Sequence, residues 1–330
     1  MDLSNREARE AVACGAPVFL PVNPVEYHGP HLSLRNDGHV TAGLIGDLHA
    51  RLARNHPDWP LLRAPDLDVG ADVLPGPGAR LVPYAAAARH IVDAALSLAD
   101  LGARSVVLMT FHGSPLHGHA LEEAVTALSR RGVRAVSPFN ALLRSFIQGH
   151  MAGERQRFED AFPDASDELR AGLEQSLHFD LHAGLLETSL TLHYAPETVH
   201  PGYRDLPPCP AITPRAPMQA AARVAAALGH RALARELEFA ALGLGWHVLE
   251  PFLGYTGSPH LASAELGAVF TELILDHLTP VVEDVLAGRA ASPPPIMPWL
   301  RAATLGGRLE TSALGSNANG YRGVNATECP

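Results

Sequence analysis

The sequence is poor in cysteine and in charged residues. Only three of its 330 residues are cysteines, at positions 14, 209 and 329, and no two of them form a C-x-x-C pair. This odd, scattered set excludes a disulfide framework and a zinc ribbon, and it predicts a reducing compartment. Charged residues make up 18% of the chain and hydrophobic residues 47%, which is typical of an ordinary globular protein and not of a disordered one.

Positive charge is also scarce. The chain has 25 Lys and Arg against 35 Asp and Glu, so its formal net charge is −10. We therefore expect neither nucleic acid nor an anionic membrane as a partner. No stretch reaches the roughly 18 uninterrupted apolar residues of a membrane span, and residues 1–7 lack the basic and apolar regions of a signal peptide. These patterns predict a cytoplasmic protein.

Apolar runs and helical patterns alternate along the first half of the chain. We predict strands at residues 17–22, 61–67, 105–110 and 133–136, and helices at residues 5–13, 40–52, 84–101 and 117–131. Asn5 is the predicted cap of the first helix, and Gly102 the predicted end of the third. The alternation predicts an α/β fold with a parallel sheet. No G-x-G-x-x-G or G-x-x-x-x-G-K-[ST] motif follows a strand, which argues against a nucleotide-binding protein.

The second half is less regular. Residues 140–177 have a charged, helical pattern with a break at Pro163, and we interpret them as an inserted lid or an oligomer contact. Residues 196–217 are rich in proline, residues 242–257 are interrupted by glycine, and residues 261–287 predict a long helix. We predict one domain over residues 1–290 and a Pro/Gly-rich tail over residues 291–330 that is extended, packed on a neighbour or partly disordered.

Histidine is abundant, and three stretches combine it with carboxylates. They are E-Y-H-G-P-H-L-S-L-R-N-D at residues 26–37, T-F-H-G-S at 110–114 and D-L-H-A-G-L-L-E-T-S at 180–189. The first two follow predicted strands, and open α/β sheets place their sites at the carboxyl ends of strands. Mixed imidazole and carboxylate ligands suit Zn²⁺, Mn²⁺ or Fe²⁺, whereas an all-oxygen set suits Mg²⁺ or Ca²⁺.

Each candidate also has a structural interpretation. Glu26 can be a capping or salt-bridged surface residue and His28 a hydrogen-bonded loop histidine. His117 and His119 can support the site, but a solvated helix start is the favoured interpretation. Ser114 is not a predicted nucleophile, because no G-x-S-x-G turn surrounds it.

The third stretch has its own alternatives. Five residues separate His182 from Glu187, a poor match to one helix face, so both can face one cavity only if His182 precedes the helix. Asp180 can instead cap that helix, with Glu187 on its exposed face. Leu185 and Leu186 beside Glu187 make a buried carboxylate credible, and a buried carboxylate needs a partner such as a metal ion.

Together the three stretches resemble the creatininase (creatinine amidohydrolase) family, whose motifs run E-x-H-G-P-H-L-P-L-x-T-D, N-G-H-G-G-N and H-A-G-x-x-E-T-S. The L-P-G at residues 74–76 and the G-S-P-H-L-A-S-A-E-L-G at residues 257–267 are similar to two further family motifs. The resemblance implies a three-layer α/β/α sandwich with a mostly parallel central sheet. It also implies homo-oligomers, often hexamers, and a binuclear site for two divalent ions (Zn, Mn or Fe).

Carried onto this sequence, the implied metal ligands are Glu26, His28, Asp37, His112 and Glu187, with Asp37 bridging the two ions. The implied catalytic residues are His182, as the proton shuttle, and Glu187. The implied reaction is attack of a metal-activated hydroxide on the carbonyl carbon of a small cyclic or linear amide, which breaks the amide C–N bond.

Several positions depart from the family pattern. Ser114 stands where creatininase has a ligand carboxylate, so the second ion depends on Glu187 or on an extra water. Thr110, Phe111 and Pro115 replace residues around the middle histidine, which puts creatinine itself in doubt as the substrate. Peptide trimming, deformylation and amide formation by the reverse reaction remain alternatives, as does a catalytically silent binding protein of the same fold.

Overall fold

The central sheet is parallel throughout its described strands. A computed structural model describes residues 4–180 and 182–309, with backbone alone at residues 151 and 152. The strands are β1 (Val18–Asn23), β2 (Leu62–Arg63), β3 (Leu67–Asp68), β4 (Ser105–Met109) and β5 (Arg134–Val136). β1 pairs with β2, β3 and β4, and β4 pairs with β5, which places β1 and β4 at the centre.

Helices connect and cover these strands. They are α1 (Asn5–Ala13), α2 (Asn36–Ala53), α3 (Tyr84–Leu101), α4 (Pro115–Arg130), α5 (Phe139–Ile147), α6 (Arg155–Ala161), α7 (Asp167–Phe179), α8 (Leu185–Tyr194), α9 (Ala216–Ala227), α10 (Arg231–Trp246), α11 (Ala264–Leu286) and α12 (Leu300–Ala303). Short 3₁₀ turns occupy His150–Glu154, Pro196–Thr198, Pro201–Asp205 and Pro259–Leu261.

Side-chain alternation along the strands divides the core between the two faces of the sheet. Val18, Leu20 and Val22 of β1 pack in one apolar cluster, with side chains from α1, α3 and α4. Phe19 packs in the other cluster, with side chains from α2, α8 and α11. Successive strand residues point to opposite faces, so a run that is apolar throughout must be covered on both. The result is the predicted three-layer α/β/α arrangement.

Two local predictions were wrong in detail. Ser4, not Asn5, caps α1, because Ser4 and Glu7 form a capping box in which each side chain accepts from the other residue's backbone N–H. The strand predicted at residues 61–67 is divided into β2 and β3, and Pro65 lies between them without an N–H to donate to a strand neighbour.

Two other predictions were right. α3 spans the predicted residues and ends at Gly102, whose φ of 113° is the left-handed conformation that glycine adopts without strain. Residues 140–177 are largely helical, and their break falls at Pro163, between α6 and α7. Whether that segment is a lid or an oligomer contact stays a prediction.

Two helices were missed, α10 and the short α12, which lies within the predicted tail. The glycines at 243 and 245 predicted an interruption, yet α10 runs through both. A Cβ at Gly245 would overlap the carbonyl oxygen of Thr213, so this glycine permits close packing of the chain. Within the part of the chain that the structure describes, no helix is long and apolar enough to cross a membrane. Residues 310–330 of the predicted tail, including Cys329, lie outside the described residues, as do residues 1–3.

Candidate metal centre

Six side chains from three separate stretches meet at the carboxyl ends of β1 and β4. Glu26 and His28 lie in the loop after β1, Asp37 in the first turn of α2, His112 after β4, His182 before α8, and Glu187 in the first turn of α8. All six are buried, with exposed fractions between 1% and 8%. The structure therefore brings together every residue for which the sequence predicted a role in metal binding or catalysis.

Glu26, Asp37 and His112 form one potential ligand group. Each offers one donor atom, and these three atoms lie within 4.8 Å of one another. Nδ1 of His112 is 2.8 Å from Oε2 of Glu26 and 3.7 Å from Oδ2 of Asp37.

His28, Asp37 and Glu187 form a second group of the same size. Nε2 of His28 is 3.0 Å from Oδ1 of Asp37 and 3.8 Å from Oε2 of Glu187. Asp37 belongs to both groups and turns one oxygen toward each histidine, as expected of a bridging carboxylate. A third cluster of donor atoms joins Glu26 and His28 to His182.

The second ring nitrogen of each histidine is held by the backbone. Nδ1 of His28 lies 3.1 Å from the carbonyl oxygen of Glu26, and Nε2 of His112 lies 3.0 Å from that of Ala71. A carbonyl oxygen only accepts, so we assign the proton to these two nitrogens. The opposite nitrogens then direct their lone pairs into the cluster, which is how histidines are oriented around protein-bound metals.

The buried carboxylates of the cluster favour positive charge beside them, as the pKa shifts of the neighbouring groups indicate. Burial alone would raise the pKa of Glu26, but the nearby imidazoles, above all His112, hold it below its usual value. Burial opposes protonation of His28 and His112, yet Asp37 raises the pKa of His28 to about 10 and Glu26 raises that of His112 to about 9. Burial raises the pKa of Glu187 to about 8, although His28 opposes the shift.

Two buried oxygens also lack hydrogen bonds. Among the described residues, Oδ2 of Asp37 has no hydrogen-bond partner, and Oε2 of Glu26 faces His112 without the alignment of a hydrogen bond. Buried polar atoms are rarely left this way, and buried carboxylates are normally paired or bound to metal. The donor set, its orientation and these two oxygens all fit divalent transition-metal ions.

His182 differs from the other two histidines of the centre. Its Nε2 lies 2.7 Å from the carbonyl oxygen of Tyr27, and its ring stacks on that of His28 with a centroid distance of 4.3 Å. Burial and the neighbouring charge of His28 lower its pKa to about 4. The ring is therefore neutral near pH 7, with its proton on Nε2 and a lone pair on Nδ1.

Backbone amides orient two of the carboxylates. The N–H of Leu74 donates to Oε1 of Glu26 at 2.5 Å, which gives the L-P-G loop a direct role in the site. The N–H of Ala183 donates to Oε2 of Glu187 at 2.6 Å. Ala183 has a φ of 47°, a left-handed conformation that costs a non-glycine residue roughly 1–2 kcal/mol. Such local strain is commonly found at functional sites.

Asn23 is a positioning residue that the sequence analysis missed. Its Oδ1 accepts hydrogen bonds from Oγ1 of Thr41 at 3.0 Å, Oγ1 of Thr110 at 3.2 Å and the N–H of Phe111 at 3.0 Å. It thereby ties the end of β1 to α2 and to the segment that presents His112. The available signal was a polar residue at the end of an otherwise apolar strand.

The two alternatives for the third stretch had different outcomes. Asp180 does serve α8, because its Oδ2 accepts the N–H of Leu186 at 2.8 Å and the hydroxyl of Ser176 at 2.8 Å. Glu187 is not on an exposed face, since only 7% of it is exposed. It faces the centre because His182 precedes the helix, as the spacing required.

The solvated position predicted for His117 and His119 was wrong. Both are buried at the start of α4, where Nε2 of His117 lies 3.3 Å from the carbonyl oxygen of Val22 and Nε2 of His119 lies 3.2 Å from that of Met297. His117 also meets the ring of His112 edge-on. Ser114 donates to Oδ2 of Asp72 at 3.0 Å.

A cavity of about 340 Å³ opens onto this centre. Glu26, His112 and His182 form its polar end, and side chains from α10 and from residues 297–304 form most of the remainder. A small molecule in this cavity would lie beside the buried carboxylate of Glu26, the metal-oriented imidazole of His112 and the neutral ring of His182. That combination can hold divalent ions and move a proton at a bound substrate.

The family model of creatininase, described as creatinine amidohydrolase, matches residues 1–282. Among curated proteins, none matches the chain.

Solved creatininase structures share the fold. A variant in complex with creatine has 20% identity and a TM-score of 0.52, with 86% of this chain and 97% of that chain covered. A variant of Zn–Zn type has 19% identity and a TM-score of 0.52, with 86% and 96% covered. A manganese form has 20% identity and a TM-score of 0.51, with 86% and 96% covered.

Proposed function

The chain belongs to the creatininase family, and on that premise we propose that it is a metal-dependent amidohydrolase with two divalent ions. The observation that carries the proposal is the pair of buried ligand groups that share Asp37. In this assignment Glu26, Asp37 and His112 hold one ion, and His28, Asp37 and Glu187 hold the other. Glu187 thus completes the second group in a chain that has Ser114 where creatininase has a carboxylate.

Zinc, manganese and iron are the candidate metals, since imidazole and carboxylate ligands suit all three. The solved relatives include a zinc and a manganese form. Bound at this centre, such ions supply Lewis acidity toward a carbonyl oxygen and lower the pKa of water.

The protein's own contribution to proton transfer is His182. The carbonyl oxygen of Tyr27 accepts a hydrogen bond from Nε2 of His182, which keeps the ring proton on that nitrogen. Nδ1 of the neutral ring is then available to accept a proton and pass it to the leaving nitrogen of the amide. The stacked ring of His28 limits how His182 can rotate. The expected product pair is a carboxylate and an amine.

The test is metal analysis of the purified protein beside His112→Ala and Glu187→Ala. We expect about two transition-metal ions per chain in the wild type and fewer in both variants. His90→Ala and Glu197→Ala are matched controls, because both residues are exposed, and they should retain the metal. Amine release from a panel of amides then tests hydrolysis.

A wild-type chain that stays free of metal after loading with Zn²⁺ or Mn²⁺ would contradict the proposal and leave a binding protein. Loss of metal in His112→Ala but not in Glu187→Ala would leave one ion and a structural role for Glu187. We also propose a cytoplasmic homo-oligomer, as expected for the family, and light scattering on the purified protein measures its size.

A further inference from the structure

The chain continues past the family-matched residues and returns to the candidate metal centre. The family match ends at residue 282, whereas residues 297, 299, 300, 303 and 304 line the cavity. We call residues 292–304 the C-terminal strap. The cavity wall formed by the strap is therefore a feature of this chain and not of the matched family region.

The strap is fastened to the domain at its beginning. The hydroxyl of Ser292 accepts the N–H of Ser137 at 3.2 Å, and the carbonyl oxygen of Pro294 accepts from Arg144 at 2.7 Å. These contacts join it to the residue after β5 and to α5.

Its middle is fastened to α10 by one carboxylate. Glu236 accepts the N–H of Met297 at 3.0 Å through Oε1, and the indole N–H of Trp299 at 2.9 Å through Oε2. Hydrogen bonds to a charged acceptor are stronger than those between neutral groups. Both residues that Glu236 holds line the cavity, so the wall has a defined position.

The wall is apolar. The cavity is lined by Phe239, Leu244 and Trp246 of α10 and by Met297, Trp299 and Leu300 of the strap. Small-molecule sites of roughly 300–1,000 Å³ with apolar linings and a few polar groups are typical of drug-sized ligands. A volume of about 340 Å³ is within this range. An apolar group of the ligand would gain burial against this wall.

Charge in the cavity disfavours an anionic ligand. Among the described residues that line it, none is Lys or Arg. Asp72 lies on the lining and accepts from Ser114. His247 is also on the lining, and burial lowers its pKa, so it is neutral near pH 7. Away from the metal centre, a substrate carboxylate would meet no Lys or Arg among the described lining residues.

We propose that the C-terminal strap and α10 form a recognition wall for an uncharged amide with a bulky apolar group, aromatic or branched. This inference rests on the proposed function, because it takes the amide to be held at the metal centre. The reacting amide faces Glu26, His112 and His182, and the apolar group lies against Trp246, Trp299 and Leu300.

The experiment uses intrinsic tryptophan fluorescence, which comes from Trp246 and Trp299 on the lining and from Trp59 outside it. The protein is titrated with 3-phenylpropanamide, acetamide and creatinine in metal-free and metal-loaded form. We expect 3-phenylpropanamide to bind at least about tenfold more tightly than the other two. The variant is Ala303→Phe, which adds bulk at an exposed residue of the lining. It should weaken 3-phenylpropanamide about tenfold while acetamide changes little.

The matched control is Ala302→Phe, the same change at the adjacent exposed residue, which does not line the cavity. It should bind like the wild type. Equal affinity for the three amides, or equal effects of the two variants, would overturn the inference. If metal-loaded enzyme hydrolyses acetamide as readily as 3-phenylpropanamide, the proposed recognition wall is refuted and the proposed function stands. If the protein prefers 3-phenylpropanamide but never binds metal, the recognition wall is supported and the proposed hydrolase function is refuted.

Discussion

Nε2 of His28 lies 3.0 Å from Oδ1 of Asp37, with both side chains 1% exposed. Asp37 and its neighbours raise the pKa of His28 to about 10, and Glu26 raises that of His112 to about 9. Below pH 6.5 the folded and unfolded chains both hold these protons, so the ion pairs stabilise the metal-free fold fully. Above it the unfolded chain loses them first, and this contribution declines.

We therefore expect the melting temperature of the chelated protein to fall between pH 6.5 and about 9. The melting temperature of the metal-loaded protein should fall less over this range, because metal binding itself requires the deprotonated imidazoles. Thermal melts of both forms across this range make the comparison, and the slope should be smaller in His112→Ala. A chelated protein that gains stability as the pH rises would contradict the assignment.

Replacing His182 by alanine separates proton transfer from metal binding. Loss of a positioned general acid or base lowers turnover by about 10²–10⁴-fold. The metal content of His182→Ala should equal that of the wild type, because neither of the two groups that share Asp37 includes His182. Turnover and metal content are measured on the same sample. Joint loss of both would make His182 a ligand.

Asn23→Ala removes one oxygen that accepts three buried hydrogen bonds. Each buried donor left unsatisfied costs about 1–3 kcal/mol, so we expect a loss of several kcal/mol in the free energy of unfolding. The matched change is Thr41→Val, which removes one of the three donors and should cost about 1 kcal/mol. Urea unfolding of the two variants tests the difference, and equal midpoints would argue against Asn23 as the tie from β1 to α2 and to the segment that presents His112.

Two glycines give a paired test of packing. A Cβ at Gly184 would overlap Oδ1 of Asp180 and the carbonyl oxygen of Thr256. A Cβ at Gly46, inside α2, would meet no atom of the described residues within 4 Å beyond its chain neighbours and the nearby backbone of its own helix. Gly184→Ala should therefore destabilise the protein by about 1–3 kcal/mol. Gly46→Ala should stabilise it by up to about 1 kcal/mol, because alanine is the better helix former. Unfolding midpoints that move in the same direction would refute this account.

Much of the fold could be predicted because the patterns are local. The apolar runs at β1 and β4, the helix α3 and the glycine that ends it are each specified by neighbouring residues. α10 was missed because glycines such as those at 243 and 245 lower the helix propensity of their segment. Gly245 is required by close packing against Thr213, a residue that is distant in sequence.

The features of the candidate site also fall into those that local sequence predicts and those that depend on distant contacts. The sequence alone determined which residue types were present and that Glu26 and His112 follow strands, since parallel strands deliver their ends to one edge. Only the tertiary structure decided that Asp37 faces both histidines, that Glu187 is buried, and that the C-terminal strap lines the cavity. These depend on contacts between residues far apart in the chain, such as Glu236 with Trp299, and no local pattern encodes such a contact.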